Sequence, residues 1–405
     1  MWTYIGAIAD DHFFVPLVTG TNEIQVYLRS AHGGCGANGA IGYSNLCKES
    51  RRNDSTLLIS SIGSDFKEKQ EQFGNKSRYD ILESKKPHLD IILYDSDNPT
   101  TSFDVILKPP NGKQISTATF DAITKWGYYT QELTKQLFNV PMRLRKRVER
   151  EVCEWAQIYK GKPGSMKDLE DYVIVTDLLR NNLPRFSEYL KKISIVGGTL
   201  EMHKVVIEAL RSLPSTKESI IHYTPGPAIY STMSTPFVSM SRDDFIRNIL
   251  TKVDILQLNK PERYHLMGGR SSAIYDLLTD KPLKNARLKI VLCTSRRYMS
   301  DYCQKSSELC SKALDATAGG IGHVHDFLKQ KQELGIDIST YRPNRERIEK
   351  ITKRVKRIEK KEIDGIERID FLTPEVIRGQ SSVGLGDAFG SGFDFYLSPE
   401  IEGIQ

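Results

Sequence analysis

The sequence lacks the features of a membrane-spanning or disulfide-stabilised protein. No apolar run approaches the roughly 20 residues that a membrane-spanning helix needs. The six cysteines are scattered and form no Cys-x-x-Cys pair, which argues against a disulfide framework or a structural zinc site. No basic segment precedes an apolar one at the start of the sequence. We therefore expect no signal peptide and a cytoplasmic protein.

The sequence also has little excess charge of either sign. Its 57 basic and 51 acidic side chains leave a formal net charge of +6, which favours anionic small molecules as ligands. This excess is too small for a dedicated nucleic-acid-binding protein, so nucleic acid is not an expected partner. No Gly-x-Gly-x-x-Gly follows the first apolar run, which disfavours a dinucleotide-dependent oxidoreductase.

Short apolar runs alternate with helical patterns along most of the 405 residues. The runs that read as buried strands are 4–9, 56–62, 88–94, 172–175, 193–196, 219–222, 253–258 and 288–293. Their alternation with helices predicts an α/β protein, with a mostly parallel central sheet and helices on both faces. Ligands bind such sheets at the carboxyl ends of the strands, where Asp10 and Asp11 follow the first run. These aspartates either hold substrate hydroxyls or are exposed loop carboxylates.

A second, smaller β-sheet is predicted apart from the main one. Residues 23–29 alternate between apolar and polar side chains, as in a strand with one solvated face. Two further strand-like runs, 101–107 and 114–120, flank Asn111-Gly112, a strong hairpin signal. We expect the segments at about 21–32 and 99–121 to form a small sheet of the kind that serves as a lid.

Charged, helical patterns at about 122–168 and 323–365 predict helical insertions. A helix over 307–317 is expected to end at Gly319-Gly320. Within the basic segment 342–363, isoleucine or valine recurs at heptad spacing at Ile348, Ile351, Val355 and Ile358. This segment reads either as an amphipathic helix packed on the body or as a helix that binds RNA or a protein partner.

Two glycine-rich stretches resemble ligand-binding turns. Gly33-Gly34-Cys35-Gly36-Ala37-Asn38 leaves room for a ligand beside the backbone, and the asparagine supplies both a donor and an acceptor. Gly384-Leu385-Gly386-Asp387 precedes residues that can open a helix, whose first amide groups bind anions. A carboxylate at that point suits phosphoryl transfer, because it can orient or deprotonate an attacking hydroxyl. Taken alone, each stretch is also consistent with a plain glycine turn that leads into a helix.

Together with the Asn-Gly hairpin and Asn259-Lys260-Pro261-Glu262, these stretches stand in an order that resembles the ribokinase-like superfamily, including the phosphofructokinase-B family. The resemblance covers roughly residues 3–397. It implies one kinase domain over residues 1–405, with a three-layer α/β/α fold and a lid that allows a homodimer. It also implies transfer of the terminal phosphoryl group of ATP or ADP to a hydroxyl of a small sugar, sugar phosphate or nucleoside, with Mg²⁺ as cofactor.

The resemblance also assigns roles to individual residues. Asp387 would be the base, and the amides around Gly384, Leu385 and Gly386 would form an anion hole. The residues implied to contact the acceptor are Asp10, Asp11, Gly33, Gly34 and Asn38. The residues implied to lie near the nucleotide and its metal are Asn259, Glu262, Thr294 and Arg296, with Glu262 reaching Mg²⁺ through water. Asn259 and Glu262 are equally consistent with a turn at a strand end, and Arg296 with an exposed surface arginine.

The sequence departs from the family pattern in three places. Thr294-Ser295-Arg296-Arg297-Tyr298 stands where ATP-using members usually carry Thr-x-Gly-x-x-Gly, Ser381-Ser382 replaces an Asp-Thr pair, and Leu385 replaces the commoner alanine. These departures are more similar to the ADP-dependent branch, whereas the N-terminal stretch and the hairpin resemble the ATP-dependent branch. The donor therefore stays open between ATP and ADP. Two other functions stay open: a non-catalytic protein of the same fold that binds nucleotide or sugar, and a nucleic-acid- or partner-binding protein that uses 342–363.

Overall fold

A computed structural model describes most of the chain, with two β-sheets and their flanking helices. The residues described are 1–19, 23–69, 75–95, 102–107, 115–121, 126–129, 189–197, 200–226, 240–267, 273–279, 281–284, 286–294, 298–304, 307–334, 338–372 and 385–398. The strands are β1 (Trp2–Gly6), β2 (Ala9–Thr19), β3 (Glu23–Gly33), β4 (Thr56–Ile62), β5 (Leu89–Asp95), β6 (Ser102–Leu107), β7 (Ile115–Asp121), β8 (Trp126–Tyr129), β9 (Lys192–Val196), β10 (Ile220–Thr224), β11 (Ile255–Asn259), β12 (Ile290–Thr294), β13 (Tyr298–Gln304), β14 (Lys356–Ile363) and β15 (Ile366–Leu372). The helices are α1 (Cys35–Glu49), α2 (Arg78–Glu83), α3 (Leu200–Ser212), α4 (Arg242–Asn248), α5 (Lys260–Met267), α6 (Ala273–Thr279), α7 (Lys281–Lys284), α8 (Glu308–Leu334), α9 (Arg345–Thr352) and α10 (Leu385–Leu397).

The larger sheet has ten strands, in the order β14-β15-β13-β12-β11-β10-β9-β1-β4-β5. Every pair from β12 to β5 is parallel, whereas β13, β15 and β14 add antiparallel pairs at one edge. The predicted α/β class and the mostly parallel central sheet are therefore confirmed. None of the described helices is both long and apolar enough to cross a membrane.

Helices cover both faces of this sheet, because successive strand residues point in opposite directions. In β1, Ile5 packs into a core shared with helices α3 to α7, whereas Tyr4 packs into a core shared with α1, α8 and α10. Apolar residues alternate in the same way along β4, where Leu57 and Leu58 belong to different cores. The result is the expected three-layer arrangement, and the candidate site lies on the side of α1 and α10.

Helix α8 continues through Gly319-Gly320, so the predicted helix end at this point is wrong. A Cβ atom at Gly319 would lie 2.2 Å from the Tyr396 ring, and one at Gly320 would lie 2.8 Å from the Phe389 ring. Both rings belong to α10, which packs along α8. The two glycines therefore allow a close helix–helix approach, and the rest of the helix offsets their poor helix propensity by packing.

The predicted basic helix over 342–363 is also wrong. Only Arg345–Thr352 is helical, and Lys356–Ile363 is β14, which pairs antiparallel with β15. The turn between them is Asp364-Gly365, both with positive φ (51° and 77°), as a two-residue hairpin requires. Ile348 is buried in the core, whereas the other three members of the apparent heptad are only half-buried.

The smaller sheet is confirmed as a separate sheet, with five strands in the order β3-β2-β6-β7-β8. It is larger than predicted. The first apolar run forms β1 of the larger sheet and ends at Gly6. The chain then enters the smaller sheet as β2, which pairs with β3 from Ala9↔Gly33 to Thr19↔Glu23. Asp10 and Asp11 therefore lie in a strand whose backbone bonds are satisfied by β3, not in a loop at the edge of the main sheet.

Three predicted segments lie largely or wholly outside the described residues. The hairpin tip at Asn111-Gly112 and the strand at 172–175 belong to this group. So does most of the helical insertion at 122–168, of which the described part, Trp126–Tyr129, is a strand.

Candidate active site

The first glycine-rich stretch packs against the chain's own backbone. Gly34 has a φ of 90° and stands just before α1, and a Cβ atom there would lie 2.4 Å from the Ala9 amide nitrogen. The amides of Gly36 and Ala37 donate to the carbonyl oxygen of Ala7, at 3.1 and 3.2 Å. The space that the sequence suggested for a ligand beside these glycines is therefore occupied by residues 6–9.

Asn38 and Asp387 are brought together from opposite ends of the sequence. Asn38 lies in α1, and its Nδ2 donates to Oδ2 of Asp387 at 3.0 Å. Leu385 and Gly386 are the first residues of α10, so Asp387 lies in its first turn, where a negative charge is favoured by the helix dipole. Gly384 lies outside the described residues.

The surroundings of Asp387 raise the pKa of its carboxyl group toward neutral pH. Burial raises the pKa of Asp387 to about 6, against the opposing effect of hydrogen bonds from the Asn38 and Cys35 side chains. A carboxylate with a pKa of this kind is ionised at neutral pH and can still accept a proton from a substrate. Perturbed carboxylates of this kind are enriched in active sites.

Asn259 and Glu262 form a reciprocal cap at the start of α5. The Asn259 backbone nitrogen donates to Oε2 of Glu262 at 2.8 Å, and its Nδ2 donates to Oε1 at 2.7 Å. In return, Oδ1 of Asn259 accepts from the backbone nitrogen of Glu262 at 2.9 Å. This is a capping-box arrangement, so the spacing of the two residues has a structural purpose in addition to any catalytic one.

Glu262 lies near Asp387, although the two are far apart in sequence. Burial raises the pKa of Glu262 to about 7, the Asn259 backbone donor opposes this rise, and the negative charge of Asp387 adds to it. Among the described residues no group of three or more His, Cys, Asp or Glu side chains forms a ready metal site. Two neighbouring carboxylates nonetheless fit Mg²⁺, which binds through one or two carboxylates and keeps several waters.

The other residues singled out from the sequence lie at the same edge or are only partly described. Thr294 ends β12 directly beside Asn259, its partner in the parallel ladder, and donates to the Leu258 carbonyl oxygen at 3.4 Å. Gly33 is the last residue of β3. Arg296 lies outside the described residues, and for Asp10 and Asp11 the backbone alone is described.

A cavity that Asp387 helps to line contains polar residues that the sequence did not reveal. It is small, with a volume of about 20 Å³ between α1, α10 and the strands β1, β9 and β10, which is enough for about one water molecule. Its polar lining includes Tyr4, Cys35, Ser194, His222, Thr224, Asp387, Ser391 and Asp394. One sequence signal was available, since Asp387 and Asp394 are seven residues apart in a helical segment and so share a face.

Gln257 connects β11 to the first turn of α10. Its Nε2 donates to the carbonyl oxygen of Gly386 at 3.2 Å, and the side chain is buried. It therefore holds the amino end of α10 against the sheet. The strand pattern at 253–258 gave no reason to select this residue.

The class of protein that this structure resembles is the ribokinase-like sugar and nucleoside kinases. Ribokinase from Giardia lamblia is 15% identical, with a TM-score of 0.47 over 86% of this chain and 89% of that one. The Burkholderia thailandensis nucleoside kinase in complex with inosine is 11% identical, with a TM-score of 0.49 over 87% of this chain and 97% of that one. Arabidopsis thaliana ribokinase complexed with ribose and ATP is 15% identical, with a TM-score of 0.42 over 76% and 75%. No protein-family model and no curated protein sequence matches the chain.

Proposed function

We propose that this chain is a phosphotransferase that moves the terminal phosphoryl group of a nucleotide to a hydroxyl group of a small molecule. The observation that carries the proposal is the position of Asp387. It lies in the first turn of α10, it accepts hydrogen bonds from Asn38 and Cys35, and burial raises its pKa to about 6.

In the proposed reaction Asp387 accepts the proton of the acceptor hydroxyl as the new O–P bond forms. Asn38 fixes the orientation of the carboxylate through its bond to Oδ2. The first amides of α10, around Leu385 and Gly386, face the direction in which the helix dipole favours an anion, and they would neutralise the transferring group.

Glu262 is the residue that would hold Mg²⁺, through waters of the metal's hydration shell. When bound, Mg²⁺ would supply positive charge to the nucleotide phosphates. Glu262 is kept in place by its bonds to Asn259, so the cap also fixes the carboxylate at the edge of the sheet. The metal would offset the cost of placing two carboxylates close together in a buried site.

The acceptor is proposed to be a small sugar, sugar phosphate or nucleoside, and the donor ATP or ADP. Similar solved structures contain ribose and ATP in one case and inosine in another, which supports testing these compounds first. The alternative that used a basic helix at 342–363 is not favoured, because Lys356–Ile363 is a strand of the main sheet. A purely non-catalytic binding protein would not need a proton acceptor at Asp387.

The test is a coupled assay that crosses ATP and ADP with ribose, inosine and a panel of other sugars, sugar phosphates and nucleosides, with and without EDTA. For the pair that supports turnover, Asp387→Asn should lower kcat by at least about 100-fold while nucleotide binding persists, because general-base catalysis is lost. The matched control is Asp243→Asn, which changes an exposed aspartate in the first turn of α4. Turnover by Asp387→Asn within a few-fold of the wild type would contradict the proposed role.

A further inference from the structure

A histidine–aspartate pair lines the same cavity as Asp387. Nδ1 of His222, in β10, is 2.7 Å from Oδ1 of Asp394, in α10. The other carboxylate oxygen, Oδ2, accepts from Tyr4 at 2.8 Å and from Ser194 at 2.6 Å. Asp394 is fully buried and His222 is 2% exposed, so the pair is shielded from bulk solvent.

This arrangement fixes the tautomer of His222. A carboxylate accepts hydrogen bonds, so the nitrogen that faces Asp394 carries the hydrogen and Nε2 carries a lone pair. Nε2 is buried and has no hydrogen-bond partner among the described residues. Because His222 lines the cavity, this nitrogen is an acceptor in need of a donor.

A second buried acceptor lies beside the same stretch of α10. Oε1 of Gln257 has no hydrogen-bond partner within the described ranges. It would lie 3.4 Å from a Cβ atom at Gly390, a residue of the cavity wall. The unpaired Nε2 of His222, in a polar cavity of about 20 Å³, indicates that the cavity holds a water molecule, and Oε1 of Gln257 is a further unpaired acceptor next to the cavity wall.

Asp387 and the His222–Asp394 pair line the same cavity. The two aspartates share one face of α10, seven residues apart, which corresponds to roughly 10 Å along a helix. The His222 ring and its bond to Asp394 take up part of that separation. One water, with a hydrogen bond of about 2.8 Å on each side, covers the rest and fits the volume of the cavity. A water can donate one hydrogen to the carboxylate of Asp387 and the other to Nε2 of His222.

We propose that His222, oriented by Asp394, is the second proton acceptor of this site and receives through cavity water the proton that Asp387 takes from the acceptor hydroxyl. This inference rests on the proposed kinase function. As the O–P bond forms, the hydroxyl O–H bond breaks and its proton passes to Asp387. The bridging water accepts that proton and gives another to Nε2, so that an imidazolium forms beside the Asp394 carboxylate. Proton loss to solvent after product release restores the neutral ring.

His222 thus acts through Asp387 and does not contact the substrate. The imidazolium is stabilised by its hydrogen bond to the buried Asp394, which is itself held by Tyr4 and Ser194. Transfer to His222 returns the negative charge to Asp387 while the products are still bound. The reverse reaction is disfavoured by the same step, because the proton is then held away from the phosphoester.

The test is the single-turnover rate of phosphoryl transfer, measured by rapid quench in mixtures of H₂O and D₂O. His222→Asn retains an amide that can donate to Asp394 and removes the Nε2 acceptor. We expect this variant to react about tenfold more slowly, with the KM values for nucleotide and acceptor unchanged, as one proton-accepting group is lost. A plot of rate against D₂O fraction should be curved for the wild type, where three protons move, and linear for His222→Asn, where only the hydroxyl proton moves.

The matched control is His203→Asn, which alters another buried histidine whose two ring nitrogens bind the Tyr223 hydroxyl and the Gly197 carbonyl oxygen. It should keep the curved plot. His222→Gln serves as a second variant if His222→Asn does not fold, and should give the linear plot as well. An unchanged rate and a curved plot in a folded His222 variant would overturn the inference while leaving the kinase function intact. A wild type with no turnover on the whole panel would instead overturn the kinase function, and this inference with it.

Discussion

Asp387 is placed where its charge costs folding free energy. Burial raises its pKa from 3.8 to about 6, so the folded state favours the neutral carboxyl group. Below pH 3.8 the group is neutral in both the folded and unfolded states, and the cost is absent. The cost grows between pH 3.8 and 6 and is complete above pH 6. Such a cost is typical of residues retained for activity and not for stability.

Asp387→Asn should therefore be more stable than the wild type above pH 6, even though it lacks the proposed base. The expected gain in the free energy of unfolding at pH 8 is about 2 kcal/mol, since each pKa unit corresponds to about 1.4 kcal/mol and Asp387 is partly exposed. Urea unfolding at pH 8 and pH 4 measures it. The gain should shrink toward zero at pH 4, and a variant less stable than the wild type at pH 8 would show that the carboxylate stabilises the fold.

The sequence alone led to some residues of the candidate site and not to others. The glycine-rich stretches and the Asn-x-x-Glu spacing drew attention to Asn38, Glu262 and Asp387, which do lie near one another. His222 and Gln257 gave no such signal, because a polar residue in a short strand has no local pattern that marks it. Their significance depends on contacts with α10, more than 100 residues further along the chain.

At the scale of single elements, the contact between α8 and α10 depends on glycine. A Cβ atom at Gly319 would overlap the Tyr396 ring at 2.2 Å, whereas one at Gly390 would meet nothing closer than 3.4 Å. Alanine is a better helix former than glycine by about 1 kcal/mol, so helix propensity alone favours both substitutions. Alanine substitution at the two positions therefore distinguishes the effect of packing on stability, which acts at Gly319, from the effect of helix propensity, which acts at both.

Gly319→Ala should destabilise the protein by about 1–3 kcal/mol, because overpacking outweighs the gain in helix propensity. Gly390→Ala, the matched control in the facing helix, should leave the stability unchanged or raise it. Thermal and denaturant unfolding of both variants measure the difference. Equal stability of the two variants would show that α8 and α10 adjust without cost, and that the close approach at Gly319 is not required.

The errors in element prediction came from local patterns that tertiary structure overrode. The glycine pair in α8 looked like a helix end because glycine usually marks one, and only the partner helix shows why it is tolerated. The apparent heptad at 348–358 extended a real helix, Arg345–Thr352, into a strand. Asp364-Gly365 is a local sequence signal for a two-residue hairpin turn, and this signal is stronger evidence for a strand than one and a half heptads are for a helix.

At the scale of the whole molecule, helix α10 joins parts of the chain that are distant in sequence. It packs between α1 and α8, and its Phe389 and Phe393 belong to the core below the sheet. Its Asp394 binds Tyr4, Ser194 and His222 from three neighbouring strands. The alternation of strands and helices predicted the sheet, but it did not predict that one helix links β1, β9 and β10.

A chain that ends at residue 384 should therefore fail to fold cooperatively. It would lose the apolar face of α10 and leave α1 and α8 uncovered on one side, at a cost larger than the typical net stability of a domain. We expect a broad thermal transition and binding of a hydrophobic dye, with the full-length Asp387→Asn variant as the folded control. A sharp transition in the shortened chain would show that residues 1–384 fold stably without α10.

The position of α10 in the sequence has a consequence for synthesis of the protein. Every described strand of both sheets leaves the ribosome before Leu385 does, so the nascent polypeptide displays the bare flanks of α1 and α8 until α10 follows. During that interval, chaperones or other nascent chains can bind the exposed apolar surfaces of α1 and α8. Asp387, the proposed base, is made with the same segment, so a partly made molecule lacks this carboxylate until α10 can cover the interior.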